Sequence, residues 1–184
     1  MASRFCLALA LAASASCGAG KRSQDPQKAL ERTSGSALAL TSQAFEDGHP
    51  IPEQYSCDGA DRAPLLHWSK APAQTKSFAL VVEDPDAPGG TFRHWGIFDI
   101  PASARSVGAT AQAGTEVAND FGKKGYGGPC PPKGDRLHHY HFRLFALDTD
   151  RFEIAPNATV EDVERTALRH AIGEGELVGT YKRP

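Results

Sequence analysis

Three of the seven histidines in this 184-residue chain lie within four positions of one another. His138, His139 and His141 follow a segment rich in glycine and proline, GGPCPPKGDRL, and open a run in which residues of alternate positions are apolar. An imidazole can act as a general base, ligate a metal ion or, once protonated, donate hydrogen bonds to an anion. Which of these the side chains can do depends on the strand face that each one occupies.

Alternation along a β-strand separates these histidines into two groups, because successive side chains point to opposite faces. His138 has the same parity as Tyr140 and Phe142, so it is predicted to face the buried side at the start of the strand. His139 and His141 have the opposite parity and are predicted to face solvent.

Two further predicted strands carry polar residues near the same end. The apolar run SFALVV leads into Asp84, which shares the parity of its inward residues, and in RHWGIFDIP the parity of His94 matches that of Phe98 and Ile100. An inward carboxylate is costly unless it is paired or hydrogen-bonded. Asp84, His94 and His138 are therefore predicted to meet in a small pocket with one carboxylate and two imidazoles.

The elements that must position these residues are mostly strands. Strands are predicted over 77–84, 93–101, 137–148 and 175–183, with long loops rich in glycine and proline between them. One helix is predicted, with Thr159 as N-cap, Asp162 completing an approximate capping box and Gly173 as the stop. The predicted fold class is mainly β, with antiparallel sheets in a sandwich and few helices, one of them near the C-terminus.

The N-terminal region has the layout of an export signal rather than of a folded element. Residues 1–17 carry an early arginine, a short apolar run and then small residues, which is typical of a signal peptide. Ala13–Ala15 is an ordinary cleavage site, whereas SASC resembles a lipobox in which Cys17 carries lipid; both alternatives stay open, and the second is favoured. Residues 18–37 are predicted to be a flexible polar linker and 38–184 a single domain.

These features predict that the protein is exported to the bacterial cell envelope, either lipid-anchored or periplasmic or secreted. In that oxidising compartment Cys57 and Cys130 form either a disulfide or two small buried thiols, and the sequence leaves both open. The formal net charge is −2 and lysine and arginine are not clustered, which argues against nucleic acid as a partner. Contact with a membrane is expected only through the candidate lipid anchor.

Several motifs, in this order, resemble the phosphatidylethanolamine-binding protein family: DPDAP at 84–88, HW at 94–95, GPCPPKG at 128–134 and HHY at 138–140. The segments YSCDGAD, NDFGKKGYGGPCPP and GELVGTYKR resemble its bacterial and archaeal branch, which is called Raf-kinase-inhibitor-like. The resemblance covers about 38–184.

This resemblance implies a β-rich fold with a small pocket for phosphate or phospholipid head groups. Carried over motif by motif, the ligand-binding residues are Asp84, Asp86, His94, Pro131, Pro132, His138 and Tyr140. The expected partner is a small anionic ligand; no cofactor, metal ion or catalytic residue is expected, and the protein is expected not to be an enzyme. A protein partner is not identified, and a kinase partner is not expected for an exported chain.

Elementary electrostatics predicts how such a pocket would hold an anion. A carboxylate beside an imidazole raises the pKa of the histidine, so His94 and His138 are expected to be protonated donors. Asp84 would orient one ring, and the backbone amides of Gly127 and Gly128 would add donors.

Three other functions remain open. His139 and His141, with Asp84, Asp86 or His94, have the ligand types of a metal-dependent hydrolase, although their parity argues against this. An acid–base hydrolase with a serine nucleophile is disfavoured because no G-x-S-x-G elbow is present. An inhibitory or scaffold role would use the protein surface.

Overall fold

The structure is a computed structural model that describes residues 38–111 and 113–184. The predicted signal peptide, with Cys17, and the predicted linker lie outside the described residues. The described residues form, in chain order, β1 (Ala39–Ser42), a 3₁₀ turn (Glu53–Tyr55), β2 (Leu66–Ser69), β3 (Ser77–Asp84), β4 (Phe92–Pro101), β5 (Ser106–Val107), β6 (Thr115–Glu116), β7 (His138–Leu147), α1 (Val160–His170) and β8 (Ala171–Tyr181).

The strands form two sheets. A three-stranded sheet has the order β1-β2-β5, and a five-stranded sheet has the order β6-β4-β3-β7-β8. Every strand pair in these two sheets is antiparallel. The predicted mainly β fold, with antiparallel sheets and a helix near the C-terminus, is confirmed.

The five-stranded sheet has an apolar layer on each face. On one face Phe78 and Phe142 pack against the small sheet, where Trp68 is buried. On the other face Val81 packs in a second cluster with Val163 of α1. β3 is therefore buried on both sides, which explains why its sequence SFALVV shows no polar alternation.

The helix begins as predicted but ends earlier. The Asp162 carboxylate accepts hydrogen bonds from the Thr159 N–H at 2.9 Å and from its hydroxyl at 3.0 Å. α1 ends at His170 and β8 starts at the next residue, so the prediction that Gly173 stops the helix is wrong. Gly173 instead lies in β8, where a Cβ atom would come within 2.9 Å of the Pro72 ring. Within residues 38–111 and 113–184, none of the helices has the length and hydropathy of a membrane-spanning segment.

A bulge in β4 determines where His94 points. Val82 of β3 pairs with Trp95 of β4. Glu83, the next residue of β3, pairs with Arg93, so that His94 has no partner across the ladder. In a β-bulge two residues of one strand oppose one residue of its neighbour, and the alternation of faces is interrupted.

The prediction that His94 faces the same side as Ile100 is confirmed, but its predicted parity with Phe98 is wrong. A second register shift lies between Phe98 and Ile100, at Asp99, whose φ is 54°. Ile100 packs between the two sheets, whereas Phe98 packs against the cluster that contains α1. The His94 ring lies 5.2 Å from the Tyr140 ring on the inter-sheet side, so the residue reaches the predicted pocket for a different reason.

Candidate ligand-binding site

A cavity of about 410 Å³ lies at the end of the five-stranded sheet where β3 ends and β4 and β7 begin. Antiparallel pairing brings these three strand termini to one edge. Of the residues predicted to bind the ligand, five line this cavity: Asp84, His94, Pro131, Pro132 and His138. The structure thus brings together the carboxylate and the two imidazoles that parity and family resemblance had selected.

His138 is held in a fixed orientation by Asp84. Both side chains are buried, with 0% of His138 and 3% of Asp84 exposed. His138 Nδ1 donates a hydrogen bond of 2.7 Å to Asp84 Oδ2, and the Asp86 N–H donates one of 2.9 Å to Asp84 Oδ1. Both oxygens of the buried carboxylate are therefore satisfied, and the proton on His138 Nδ1 is fixed.

His94 differs from the prediction in its charge. Its Nδ1 donates a 2.7 Å hydrogen bond to the Gly127 carbonyl, and aromatic rings of Phe121 and Tyr140 pack around it. Burial lowers the pKa of His94 by more than the nearby Asp84 carboxylate raises it. The prediction of a raised pKa is wrong for this residue, because the free-energy cost of removing the imidazolium from water exceeds the stabilisation that the Asp84 carboxylate provides.

Tyr140 and Asp86 do not line the cavity. Tyr140 is buried behind His94 and stacks on His138 with ring centroids 6.5 Å apart. Burial, and then the charge of Asp84, raise the pKa of the Tyr140 hydroxyl above its ordinary value. Asp86 accepts hydrogen bonds from the backbone N–H and Nδ1 of His139, at 3.0 and 2.7 Å. The hydrogen bond from the ring holds the pKa of the Asp86 carboxyl below its ordinary value.

The two histidines predicted to face outward do so. The His139 side chain is 48% exposed and pairs with Asp86, and His141 Nδ1 lies 2.8 Å from Glu176 Oε1. Within the parts of the chain that the structure describes, no group of three or more histidine, cysteine or acidic side chains is arranged to hold a metal ion.

Asn119 organises the loop that forms one wall of the cavity. Its amide nitrogen donates to the carbonyl oxygens of His94 and Gly125 at 3.2 and 2.9 Å. Its amide oxygen accepts from the N–H groups of Phe121 and Lys123. This buried side chain therefore fixes both the strand that carries His94 and the turn that carries Phe121.

The backbone amides of Gly127 and Gly128 are already occupied, which corrects the prediction that they serve the ligand. The Gly127 N–H donates to the His94 carbonyl at 2.9 Å, and the Gly128 N–H donates to Asp61 Oδ1 at 2.6 Å. A Cβ at position 128 would come 2.2 Å from the Tyr55 carbonyl oxygen, so glycine is needed there for the close approach of two backbones.

A disulfide ties another wall of the cavity to the segment that follows the 3₁₀ turn. The structure joins Cys57 and Cys130, whose Cα atoms are 5.4 Å apart, and Cys130 itself lines the cavity. The Cys57 N–H also donates to the Pro129 carbonyl at 3.1 Å. The bond therefore anchors the segment that carries Pro131 and Pro132.

Several lining residues were not predicted from the sequence: Ala87, Pro88, Gly89, Gly90, Thr91, Phe92, Asp120, Phe121 and Cys130. Phe92 and Phe121 make an aromatic wall, with ring centroids 4.7 Å apart. The sequence signal for Phe121 is its place in the motif NDFGKKGYGGPCPP, one of the segments that resemble the family. Its exposed fraction of 43% is unusually high for a phenylalanine.

A second cavity of about 380 Å³ lies on the other side of the 125–128 segment. Its polar side chains are already engaged, since Trp95 Nε1 donates to Glu116 and the Tyr126 hydroxyl donates to the Tyr55 carbonyl. The first cavity is therefore the better candidate for a ligand.

Comparison with known proteins establishes the family. A sequence model described as phosphatidylethanolamine-binding protein matches residues 41–182. The chain belongs to the phosphatidylethanolamine-binding protein family. It is 41% identical over 155 residues to a UPF0098 protein of Aquifex aeolicus, a match that covers 81% of this chain and 91% of that protein. It is 43% identical over 147 residues to LppC of Mycobacterium tuberculosis, which is named as a candidate lipoprotein, with 79% and 72% covered.

Two solved structures of this family have the same fold. The crystal structure of Escherichia coli YbcL, described as a new member of the mammalian family, matches with a TM-score of 0.75 and 32% identity over 80% of this chain and 99% of that one. The homologue CT736 of Chlamydia trachomatis matches with a TM-score of 0.73 and 37% identity over the same shares of the two chains.

Proposed function

We propose that this family member is an exported, non-catalytic binding protein whose cavity takes a small ligand with a phosphoryl group. The observation that carries the proposal is the pairing of His138 with Asp84 beside His94 in one cavity of about 410 Å³. That volume exceeds the needs of phosphate alone and suits a phosphoryl group with a small organic substituent. The aromatic wall of Phe92 and Phe121 would contact the substituent.

The charges around the cavity make anion binding depend on protons. Among the described lining residues none is lysine or arginine, and two, Asp84 and Asp120, are carboxylates. Asp120 and Asp84 both favour a proton on His94, but burial outweighs them, so its pKa lies below the ordinary value. An anion that contacts His94 would add a further negative charge beside the ring and so stabilise its imidazolium form. Binding would therefore be accompanied by the uptake of a proton on this ring.

The family name supports a phosphoryl ligand, since it refers to a phospholipid with a phosphoryl head group. Export is supported by the signal-like residues 1–17 and by the lipoprotein name of the Mycobacterium tuberculosis relative. A lipid on Cys17 would then hold the domain at the envelope through the linker over 18–37.

Sulfate is the sharpest probe of the proposed proton linkage, because it resembles phosphate but keeps its charge over the whole pH range. We expect sulfate affinity to rise as the pH falls from about 8 to about 6, by up to about tenfold per pH unit for each proton taken up. The sign follows from the lowered pKa of His94: the free protein holds the ring neutral, and the complex holds it charged. Isothermal titration calorimetry at several pH values measures this.

Two substitutions identify the titrating group. His94→Gln keeps a polar side chain that cannot be protonated and should flatten the pH profile. His170→Gln is the matched control, because His170 is 40% exposed at the end of α1 and pairs with Asp148. A pH profile that is unchanged by His94→Gln would contradict the proposed role of His94.

A further inference from the structure

The second ring nitrogen of His138, Nε2, faces the carboxylate of Asp135, a residue that does not line the cavity. His138 Nε2 lies 3.4 Å from Asp135 Oδ2, whereas Nδ1 lies 2.7 Å from Asp84 Oδ2. The two acidic partners differ in surroundings, since the Asp84 side chain is 4% exposed and that of Asp135 is 30% exposed. Asp84 is thus a permanent partner, and Asp135 holds the ring by a longer contact at the surface.

A tight turn brings Asp135 to this position. The Asp135 N–H donates to the Pro132 carbonyl at 3.1 Å, and Gly134 between them has a φ of 81°, which glycine adopts without strain. The turn continues directly from the Pro131–Pro132 wall of the cavity. Asp135 Oδ1 accepts the Arg136 N–H at 2.7 Å, and this hydrogen bond holds the pKa of the carboxyl below its ordinary value. The carboxylate is therefore ionised near neutral pH.

Asp135 stands where a ligand oxygen would have to bind. Because the Nδ1 proton is donated to Asp84, Nε2 has a proton to donate only in the imidazolium form, which carries one proton on each ring nitrogen. A phosphoryl oxygen that accepts this single Nε2 proton must displace the Asp135 oxygen or share the donor with it. Sharing places two negative charges near one another, which costs free energy at the edge of a buried site. The longer contact makes displacement cheaper at Asp135 than at Asp84.

We propose that Asp135 is a specificity-determining residue that competes with the ligand for His138 and penalises each negative charge the ligand carries. This inference rests on the proposed function. Its consequence is a preference for monoanionic phosphodiesters over dianionic monoesters, because the second charge of a monoester meets the Asp135 carboxylate. Removal of that carboxylate should relax the preference.

Two anions of different charge test the competition in the full chain. Asp135→Asn should increase sulfate affinity about tenfold at low ionic strength and dimethyl phosphate affinity about threefold, with both gains shrinking as salt is added. Asp135→Ala, which also removes the side-chain acceptor, should increase sulfate affinity at least as much. Glu153→Gln is the matched control, since it removes one negative charge from an exposed residue next to Phe152, which packs in the α1 cluster.

An independent readout of the contact needs no ligand. In a long-range proton–nitrogen NMR spectrum the Nε2 signal of His138 should shift in Asp135→Asn and stay in place in Glu153→Gln. An unmoved Nε2 signal would overturn the contact. A moved signal with unchanged sulfate affinity would overturn the competition and leave the proposed function intact. If the wild type and both Asp135 variants all fail to bind sulfate and dimethyl phosphate, the proposed function is contradicted, and so is the competition that rests on it.

Discussion

Replacing Asp84 with alanine is expected to lower the free energy of unfolding by about 3 kcal/mol. The substitution leaves two donors without an acceptor, His138 Nδ1 and the Asp86 N–H, both of which now bond to its carboxylate. His138 is fully buried, so after the substitution water can reach Nδ1 only from the cavity that Asp84 lines. Urea unfolding near pH 7 measures the change.

Asp86→Ala is the control for this effect, because it removes the same group two residues away. The Asp86 carboxylate bonds to His139 and Arg136, whose side chains are 48% and 66% exposed. Water can solvate those partners, so we expect a loss of less than about 1 kcal/mol. Equal losses in the two variants would show that the Asp84–His138 pair is not held in a buried site.

The second large effect concerns the disulfide between Cys57 and Cys130. Its two cysteines are 73 residues apart in sequence, and closing a loop of this length stabilises a protein by about 4 kcal/mol through the restricted unfolded chain. The double substitution Cys57→Ser and Cys130→Ser should lower the free energy of unfolding by about that amount. Urea unfolding of the wild type with and without a reducing agent should show the same difference.

The double variant is also the control for the reducing agent, which should not change its stability further. We expect sulfate to bind more weakly to it, because the bond anchors the cavity wall that carries Pro131 and Pro132. A wild type whose stability does not respond to reduction would contradict a disulfide in the folded protein.

Alternation of side chains was sufficient to predict the surroundings of Asp84 and His138. β3 and β7 pair in continuous register from Ser77↔Leu147 to Glu83↔His141, so parity counted along either strand holds to its end. The outward orientation of His139 follows from the same count.

Parity failed between His94 and Phe98 because a bulge depends on the partner strand. Nothing within RHWGIFDIP marks the residue that loses its partner, and the two register shifts are seen only when β4 is laid beside β3. Alternation and the family motif both selected His94 in the prediction, but the alternation did so through a parity with Phe98 that the structure does not have. The short strands β5 and β6, of two residues each, were not predicted because so few residues show no periodicity.

The lowered pKa of His94 could not be predicted from the sequence for a related reason. A carboxylate neighbour was inferred correctly, but the burial that outweighs it comes from residues of separate segments, among them Phe121 and Tyr140. The occupied amides of Gly127 and Gly128 likewise became visible only with the positions of His94 and Asp61.

The central claim is that an anion in this cavity is bound together with a proton. Calorimetric titration of sulfate near pH 7 in two buffers of different ionisation enthalpy counts the protons directly, since the difference in observed heat equals the uptake multiplied by the difference between the buffers. We expect an uptake that approaches about one proton per bound sulfate in the wild type and falls towards zero in His94→Gln. Saturable binding of sulfate to the wild type with no proton uptake would contradict the account.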